Sequence, residues 1–190
     1  MRKKIKKTFS ERDIAKRIAK LGKTIRHDAG DDRVVLLGVL KGASFFLVDL
    51  ARAIPGEVSY GFIDTVRDVA DTEVAAAMEI NFRNSIDISG KNVYLLKDVV
   101  STGVIENYLL SQLRQKKPAD LKLVALLDRP ELRTVDLTPD YAAFKAKHGG
   151  SFVGYGLERR EAWESAVDWK DVIRISPRFR PLRRAVEATR

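Results

Sequence analysis

The sequence contains no cysteine and only two histidines, His27 and His148, among its 190 residues. The absence of thiols excludes disulfide bonds and thiolate zinc sites, and two histidines are too few for a multi-histidine metal centre. No apolar run approaches the length of a membrane span, and the lysine-rich start lacks the apolar stretch of a signal peptide. These absences favour a cytoplasmic protein with no membrane partner.

Positive charge is in surplus. The chain has 35 Lys and Arg against 26 Asp and Glu, which gives a net charge of +9. Such a balance favours phosphorylated or otherwise anionic partners. Much of the surplus lies in a basic N-terminal segment, 1–8, and a basic C-terminal extension, 176–190. We interpret both as solvated tails, with nucleic-acid binding through them as the alternative.

The region between these ends, 9–175, has the length and apolar content of one domain. Ser10 and Asp13 resemble a helix-capping pair, and the helix after them presents an apolar stripe. Short apolar runs predict buried strands at 34–40, 58–62, 92–96 and 121–127, and helical spacing follows at 45–54 and 105–115. Shorter strand candidates are 141–144, 151–154 and 172–175, and 78–82 alternates weakly between apolar and polar residues. The aperiodic stretch 64–76 is predicted to be a mobile loop.

Strands that alternate with helices indicate βαβ units and a parallel sheet whose two faces are covered. We expect the strands near 34–40, 92–98 and 121–127 to be adjacent and parallel, with the helix at 105–115 on one face. Ligands of such sheets bind beyond the carboxyl ends of the strands. The loops expected to matter are therefore 41–44, 97–105 and 128–133.

The most informative stretch is 95–103, Leu-Leu-Lys-Asp-Val-Val-Ser-Thr-Gly. It combines a buried strand, a turn of small residues and a helix start, where backbone N–H groups can hold a phosphate. With these flanks it resembles the phosphoribosyl-pyrophosphate loop of type I phosphoribosyltransferases, specifically the hypoxanthine-guanine branch. Three more segments resemble that family in the right order: 38–42 its pyrophosphate loop, 126–131 its purine-recognition strand end, and 152–157 the flank of its base pocket.

The resemblance covers 9–175. It implies an α/β fold with a twisted parallel sheet, flanking helices and a small hood over the site. It also implies a Leu40–Lys41 peptide that can be cis, and a homodimer or homotetramer to which the helix after Lys41 contributes. Phe45, Phe46 and Val48 offer apolar surface for such an assembly.

Site residues follow from the same resemblance. The catalytic positions are Lys97, Asp98 and Ser101, and a Mg²⁺ cofactor would be held by Glu158 and Asp98. Ligand contacts are implied at Leu40, Lys41, Gly42, Thr102, Gly103, Val104, Ile105, Arg129, Phe152, Val153, Glu158 and Glu164.

Several of these positions depart from the family's pattern. The family loop has two acids that bind the ribose hydroxyls and a third that serves as general base. Lys97 replaces the first acid and reverses its charge beside the Mg²⁺ site, and Ser101 replaces the base with a hydroxyl that cannot act as one unaided. Glu164 stands where an arginine contacts pyrophosphate, and Glu106 at a helix start opposes a phosphate. The closing loop matches 66–70 but lacks the family's Ser-Tyr pair.

These departures predict a hypoxanthine/guanine phosphoribosyltransferase-like protein with weak or no phosphoribosyl transfer. The retained loops predict that it still binds a small phosphate ligand, either a purine nucleotide or a molecule like phosphoribosyl pyrophosphate. One alternative is an active purine-salvage enzyme that uses Asp98, Glu158 and a rearranged base. Others are a regulatory or nucleic-acid-binding protein that uses its basic ends, and a dimeric scaffold without a ligand.

Overall fold

A computed structural model describes residues 6–67, 78–82, 86–146, 151–157 and 172–175. The elements in chain order are β1 (Lys6–Phe9), α1 (Glu11–Ala29), β2 (Val34–Val39), α2 (Ser44–Ala53), β3 (Val58–Arg67), β4 (Met78–Phe82), β5 (Asn92–Val100), α3 (Val104–Arg114), β6 (Asp120–Asp128), a 3₁₀ turn (Pro130–Leu132), β7 (Tyr141–Lys145), β8 (Ser151–Val153) and β9 (Val172–Ile175). None of the helices in these ranges has both the length and the apolar character that crossing a membrane requires.

Six strands form the main sheet, in the order β4-β3-β2-β5-β6-β7. The strands β3, β2, β5, β6 and β7 are parallel, and β4 is an antiparallel edge. All six residues of β2 are buried, because helices cover both faces of the sheet. β2, β5 and β6 are adjacent and parallel, which confirms the architecture that the apolar runs predict.

The two faces of the sheet carry separate clusters of apolar side chains. One cluster joins α1 and α2 to the sheet, and the other joins α3 to the opposite face. Helix α1 begins with the predicted capping pair: the Ser10 hydroxyl accepts from the Asp13 N–H, and the Asp13 carboxylate accepts from the Ser10 N–H. Its buried stripe of Ile14, Ile18, Leu21 and Ile25 matches the expected helical spacing.

A second sheet is antiparallel and has three strands, in the order β1-β9-β8. It is the small additional unit that the family resemblance implies. The Phe9 ring at the end of β1 stacks on Phe144 of β7, with 4.0 Å between ring centroids. Because β1 begins at Lys6, this strand crosses the boundary drawn between 1–8 and 9–175, and the division into segments stays a prediction.

Two expectations about local structure were wrong, at 64–67 and at Phe46. Residues 64–67 belong to β3 and not to a loop, since they pair with β4; the rest of that stretch, 68–76, lies outside the described residues. The strand predicted at 92–98 is confirmed as β5 and continues two residues further, to Val100, because Val99 and Val100 still pair with β6. Phe46 is fully buried under α2, so Phe45 and Val48 are the apolar side chains that this helix exposes.

Candidate active site

The loop at 40–43 follows β2 and resembles the family's pyrophosphate loop. It lies directly against the carboxyl end of β5. A Cβ atom added to Gly42 would overlap Oδ2 of Asp98 and lie 2.6 Å from its Cγ. Only a glycine allows the loop backbone to approach the carboxylate this closely. The Leu40–Lys41 peptide at the start of the loop is cis, as the resemblance implied.

The segment 152–157 packs on the same loop. A Cβ atom on Gly156, whose φ is +80°, would lie 3.3 Å from the carbonyl oxygen of Gly42 and 2.8 Å from Cδ2 of Phe45. The Tyr155 hydroxyl donates to Oδ2 of Asp49 in α2 at 2.6 Å. Burial and this hydrogen bond raise the pKa of Tyr155, which therefore stays a neutral donor. Both contacts anchor the segment beside the loop.

Lys97 and Asp98 form an ion pair at the carboxyl end of β5. The ammonium nitrogen Nζ lies 2.5 Å from Oδ1 of Asp98, and each side chain is 18% exposed. The carboxylate predicted to serve in catalysis is therefore enclosed between an ammonium group and the backbone of Gly42. This pairing was not anticipated from the sequence.

The turn Ser101-Thr102-Gly103 connects β5 to α3, and its backbone accepts hydrogen bonds from Arg133 and Thr134. Nη1 of Arg133 donates to the carbonyl oxygen of Ser101 at 2.7 Å, and the Thr134 N–H donates to the carbonyl oxygen of Thr102 at 3.0 Å. Gly103 is left-handed, with φ +84°, and caps α3. The turn thus places Thr102, Gly103, Val104 and Ile105 at the positive end of a helix, where an anion is favoured.

Arg133 also pairs with the carboxylate of Asp128, the last residue of β6. The two side chains are 12% and 3% exposed, so the ion pair is buried. The sequence placed both residues in a loop expected to matter but did not predict that they pair, because an acid at a strand end and an arginine five positions later have no distinctive spacing. Through Arg133, the pair connects the end of β6 to the turn at 101–103.

Glu106 lies on the first turn of α3 and is 4% exposed. Burial raises the pKa of its carboxyl, while Lys97, a hydrogen bond from its own backbone N–H and Arg133 oppose that shift. Glu106 shares the buried stripe of α3 with Leu109, Leu110 and Leu113, a spacing that the sequence contains. Its expected opposition to a phosphate stays a prediction.

At the predicted purine side, the guanidinium carbon of Arg129 lies 5.6 Å from the centre of the Phe152 ring. This distance is within the range of a cation–π contact. Phe152 and Val153 are both buried, at 8% and 4% exposure. The aromatic residue beside Arg129 is therefore Phe152, one of the positions at which the resemblance implies a ligand contact.

Of the two residues predicted to hold Mg²⁺, the structure describes only Asp98. Its carboxylate already accepts from an ammonium group, which does not fit a second cation at the same oxygen. Glu158, the other predicted metal ligand, and Glu164, at the pyrophosphate position, lie outside the described residues. Their roles stay predictions.

Comparison with known proteins agrees with this arrangement. The family model of the phosphoribosyl transferase domain matches residues 7–160. A hypoxanthine-guanine phosphoribosyltransferase of Aquifex aeolicus is 34% identical over 157 residues, which are 82% of this chain and 88% of that protein. The enzyme of the same name from Bacillus subtilis is 30% identical over 159 residues, 83% of this chain and 87% of the relative.

The chain belongs to the hypoxanthine-guanine phosphoribosyltransferase family. Solved structures agree with this assignment. The enzyme from Bacillus anthracis, with a HEPES molecule in its active site, superimposes with a TM-score of 0.80 at 29% identity and covers 91% of this chain and 100% of its own. A point variant of the Trypanosoma cruzi hypoxanthine phosphoribosyltransferase, in a ternary complex with substrates, gives 0.79 at 27% identity, over 90% and 95% of the two chains.

Within this family, four segments of the present chain meet at one edge of the sheet: the loop at 40–43, the turn at 101–103, residues 129–133 and the segment 152–157. The charges at this edge are those of this chain's own residues. Lys97 is paired with Asp98, and Ser101, three residues after Asp98, is uncharged.

Proposed function

We propose that this chain binds a phosphate-bearing purine ligand, a purine nucleotide or a molecule like phosphoribosyl pyrophosphate, with little or no phosphoribosyl transfer. The observation that carries the proposal is the Lys97–Asp98 ion pair. Carboxylates stabilise the positive charge that develops on a ribose when its bond to pyrophosphate breaks. A carboxylate whose charge is neutralised by an adjacent ammonium group loses most of that ability.

The absence of a general base acts in the same direction. Ser101 has a hydroxyl at the position of the family's third acid, and loss of a general base costs roughly a hundred- to ten-thousand-fold in rate. Because these changes affect different steps of one reaction, restoring a single residue is not expected to recover the rate.

Retained ligand binding is supported by the groups that remain. The turn at 101–103 lies at the N-terminus of α3, the loop at 40–43 contains Gly42, and Arg129 carries a positive charge at the end of β6. The helix N-terminus and the guanidinium of Arg129 favour an anionic ligand. The overall charge of +9 favours its approach.

The binding claim can be tested by calorimetric titration with guanosine monophosphate, and with guanosine as the matched control that lacks the phosphate. We expect the nucleotide to bind at least about tenfold more tightly, the effect of one charge-assisted hydrogen bond or more. Equal affinities, or no binding of the nucleotide, would contradict the proposal. Thr102→Val is expected to weaken nucleotide binding. Thr134 lies outside the turn, and its hydroxyl donates to the carbonyl oxygen of Thr102, so Thr134→Val should change the affinity for the nucleotide less.

The second candidate is an active purine-salvage phosphoribosyltransferase. It is favoured by the meeting of four segments that resemble the family's, and by the activity for which the relatives are named. Turnover of phosphoribosyl pyrophosphate with hypoxanthine or guanine separates it from the first. Homo-oligomer formation and a cytoplasmic location stay predictions under either candidate.

A further inference from the structure

The ammonium group of Lys97 lies at the carboxyl ends of the parallel strands. Nζ of Lys97 is 2.5 Å from Oδ1 of Asp98, and Oδ2 of the same carboxylate lies against the backbone of Gly42. Each side chain of the pair keeps 18% exposure, so the pair is partly open to solvent and partly enclosed. The ammonium group is therefore held at the edge where ligands of parallel sheets bind.

This arrangement disfavours a divalent ion on Asp98. Mg²⁺ requires oxygen ligands in a near-octahedral shell, and it usually reaches a protein through one or two carboxylates and the phosphates of a substrate. One oxygen of Asp98 already accepts from an ammonium group, whose charge repels a second cation at so short a distance.

An ammonium group can supply the positive charge that a phosphate group needs in its binding site. It carries three N–H donors, of which a single carboxylate oxygen accepts one, and it forms short charge-assisted bonds to phosphate oxygens. The positive end of α3 lies at the same edge and also favours an anion there.

We propose that Lys97 is the resident cation of this site, and that it holds the phosphate or pyrophosphate group of the ligand without Mg²⁺. The inference rests on the proposed function, since it concerns the same phosphate-binding edge. It adds a distinct claim, which is that phosphate affinity depends on Lys97 and not on a divalent ion.

The test is calorimetric titration of the full chain with inorganic pyrophosphate, once in EDTA and once with excess Mg²⁺. The wild type is expected to bind in EDTA with an affinity within about threefold of that in Mg²⁺. Lys97→Gln should lose at least about tenfold in EDTA, the effect of one charge-assisted bond. Lys97→Arg keeps the charge and should bind in EDTA. Lys97→Glu should bind only with Mg²⁺.

A matched control is Lys91→Gln. Lys91 pairs with Asp87 just before the start of β5, at the opposite edge of the sheet, and its loss should leave pyrophosphate affinity unchanged. Thermal unfolding of each variant shows that the chain is folded before titration.

Three outcomes would overturn the inference: wild-type binding that requires Mg²⁺, Lys97→Gln that binds like the wild type in EDTA, or no pyrophosphate binding in either condition. The guanosine monophosphate titration with Mg²⁺ separates the two claims. If the nucleotide binds and pyrophosphate fails in EDTA, the proposed function stands and the role of Lys97 falls. If the nucleotide also fails to bind, both fall.

Discussion

Replacement of Arg133 by methionine removes the positive partner of a buried carboxylate. The Asp128 side chain is 3% exposed and the Arg133 side chain 12%, so water cannot take over the lost contact at Asp128. Methionine keeps much of the side-chain volume but donates no hydrogen bond to Asp128 or to the carbonyl oxygen of Ser101.

Breaking a buried ion pair by removing one partner costs about 3–5 kcal/mol, because it leaves an uncompensated buried charge. In a protein of this length, 1 kcal/mol corresponds to a change in Tm of about 2–4 °C, so Arg133→Met should lower Tm by roughly 6–20 °C. Asp128→Asn removes the charge itself, and the double variant should therefore be less destabilised than the sum of the single changes.

Thermal and urea denaturation measure these differences. Arg114→Met, at the exposed end of α3, is the matched control and should stay within about 0.5 kcal/mol of the wild type. A loss of less than about 1 kcal/mol for Arg133→Met, or strict additivity of the two single changes, would refute the view that Asp128 and Arg133 form a coupled pair that supports the turn.

Three further predictions concern other parts of the site and surface. Gly42→Ala should weaken guanosine monophosphate binding and cost about 1–3 kcal/mol of stability, because its Cβ would overlap the Asp98 carboxylate; an unchanged titration and unchanged stability would contradict the close approach. Glu106→Gln should raise Tm, and by more at about pH 8 than at about pH 5. Folding raises the pKa of Glu106, so its carboxyl makes the folded state less stable as the pH rises above the ordinary pKa of a glutamate. A larger gain in Tm at the lower pH would contradict this effect of burial. Val48→Glu on the exposed face of α2 should shift an oligomer toward monomer in sedimentation at micromolar concentration, and a wild type that is already monomeric there would remove the expectation of assembly.

The order and direction of the strands could be predicted because the sequence places unbroken apolar runs at β2, β5 and β6. The contact of Lys97 with Asp98 could not, since adjacent residues of a strand point to opposite faces and only the long lysine stem makes the contact attainable. The Arg133 contact with Ser101 spans 32 residues and arises only when β5 and β6 pair.

Glu106 is a different case. Its spacing with Leu109 and Leu113 indicated a buried position, but its charge suggested an exposed one, and the helical periodicity was the better guide. For Phe46, an apolar side chain alone did not indicate whether the residue faced the core or the solvent, and the structure buries it fully.

The central claim is that this family member has kept the site but lost the charges that the transfer reaction needs. It is tested most directly by incubating purified protein with phosphoribosyl pyrophosphate, Mg²⁺ and hypoxanthine or guanine, and measuring nucleoside monophosphate. We expect negligible formation by the wild type and a measurable rise when Lys97→Glu, Ser101→Asp and Glu164→Arg are combined. Wild-type turnover of about one per second or faster, within the ordinary range of enzymes, would contradict the account.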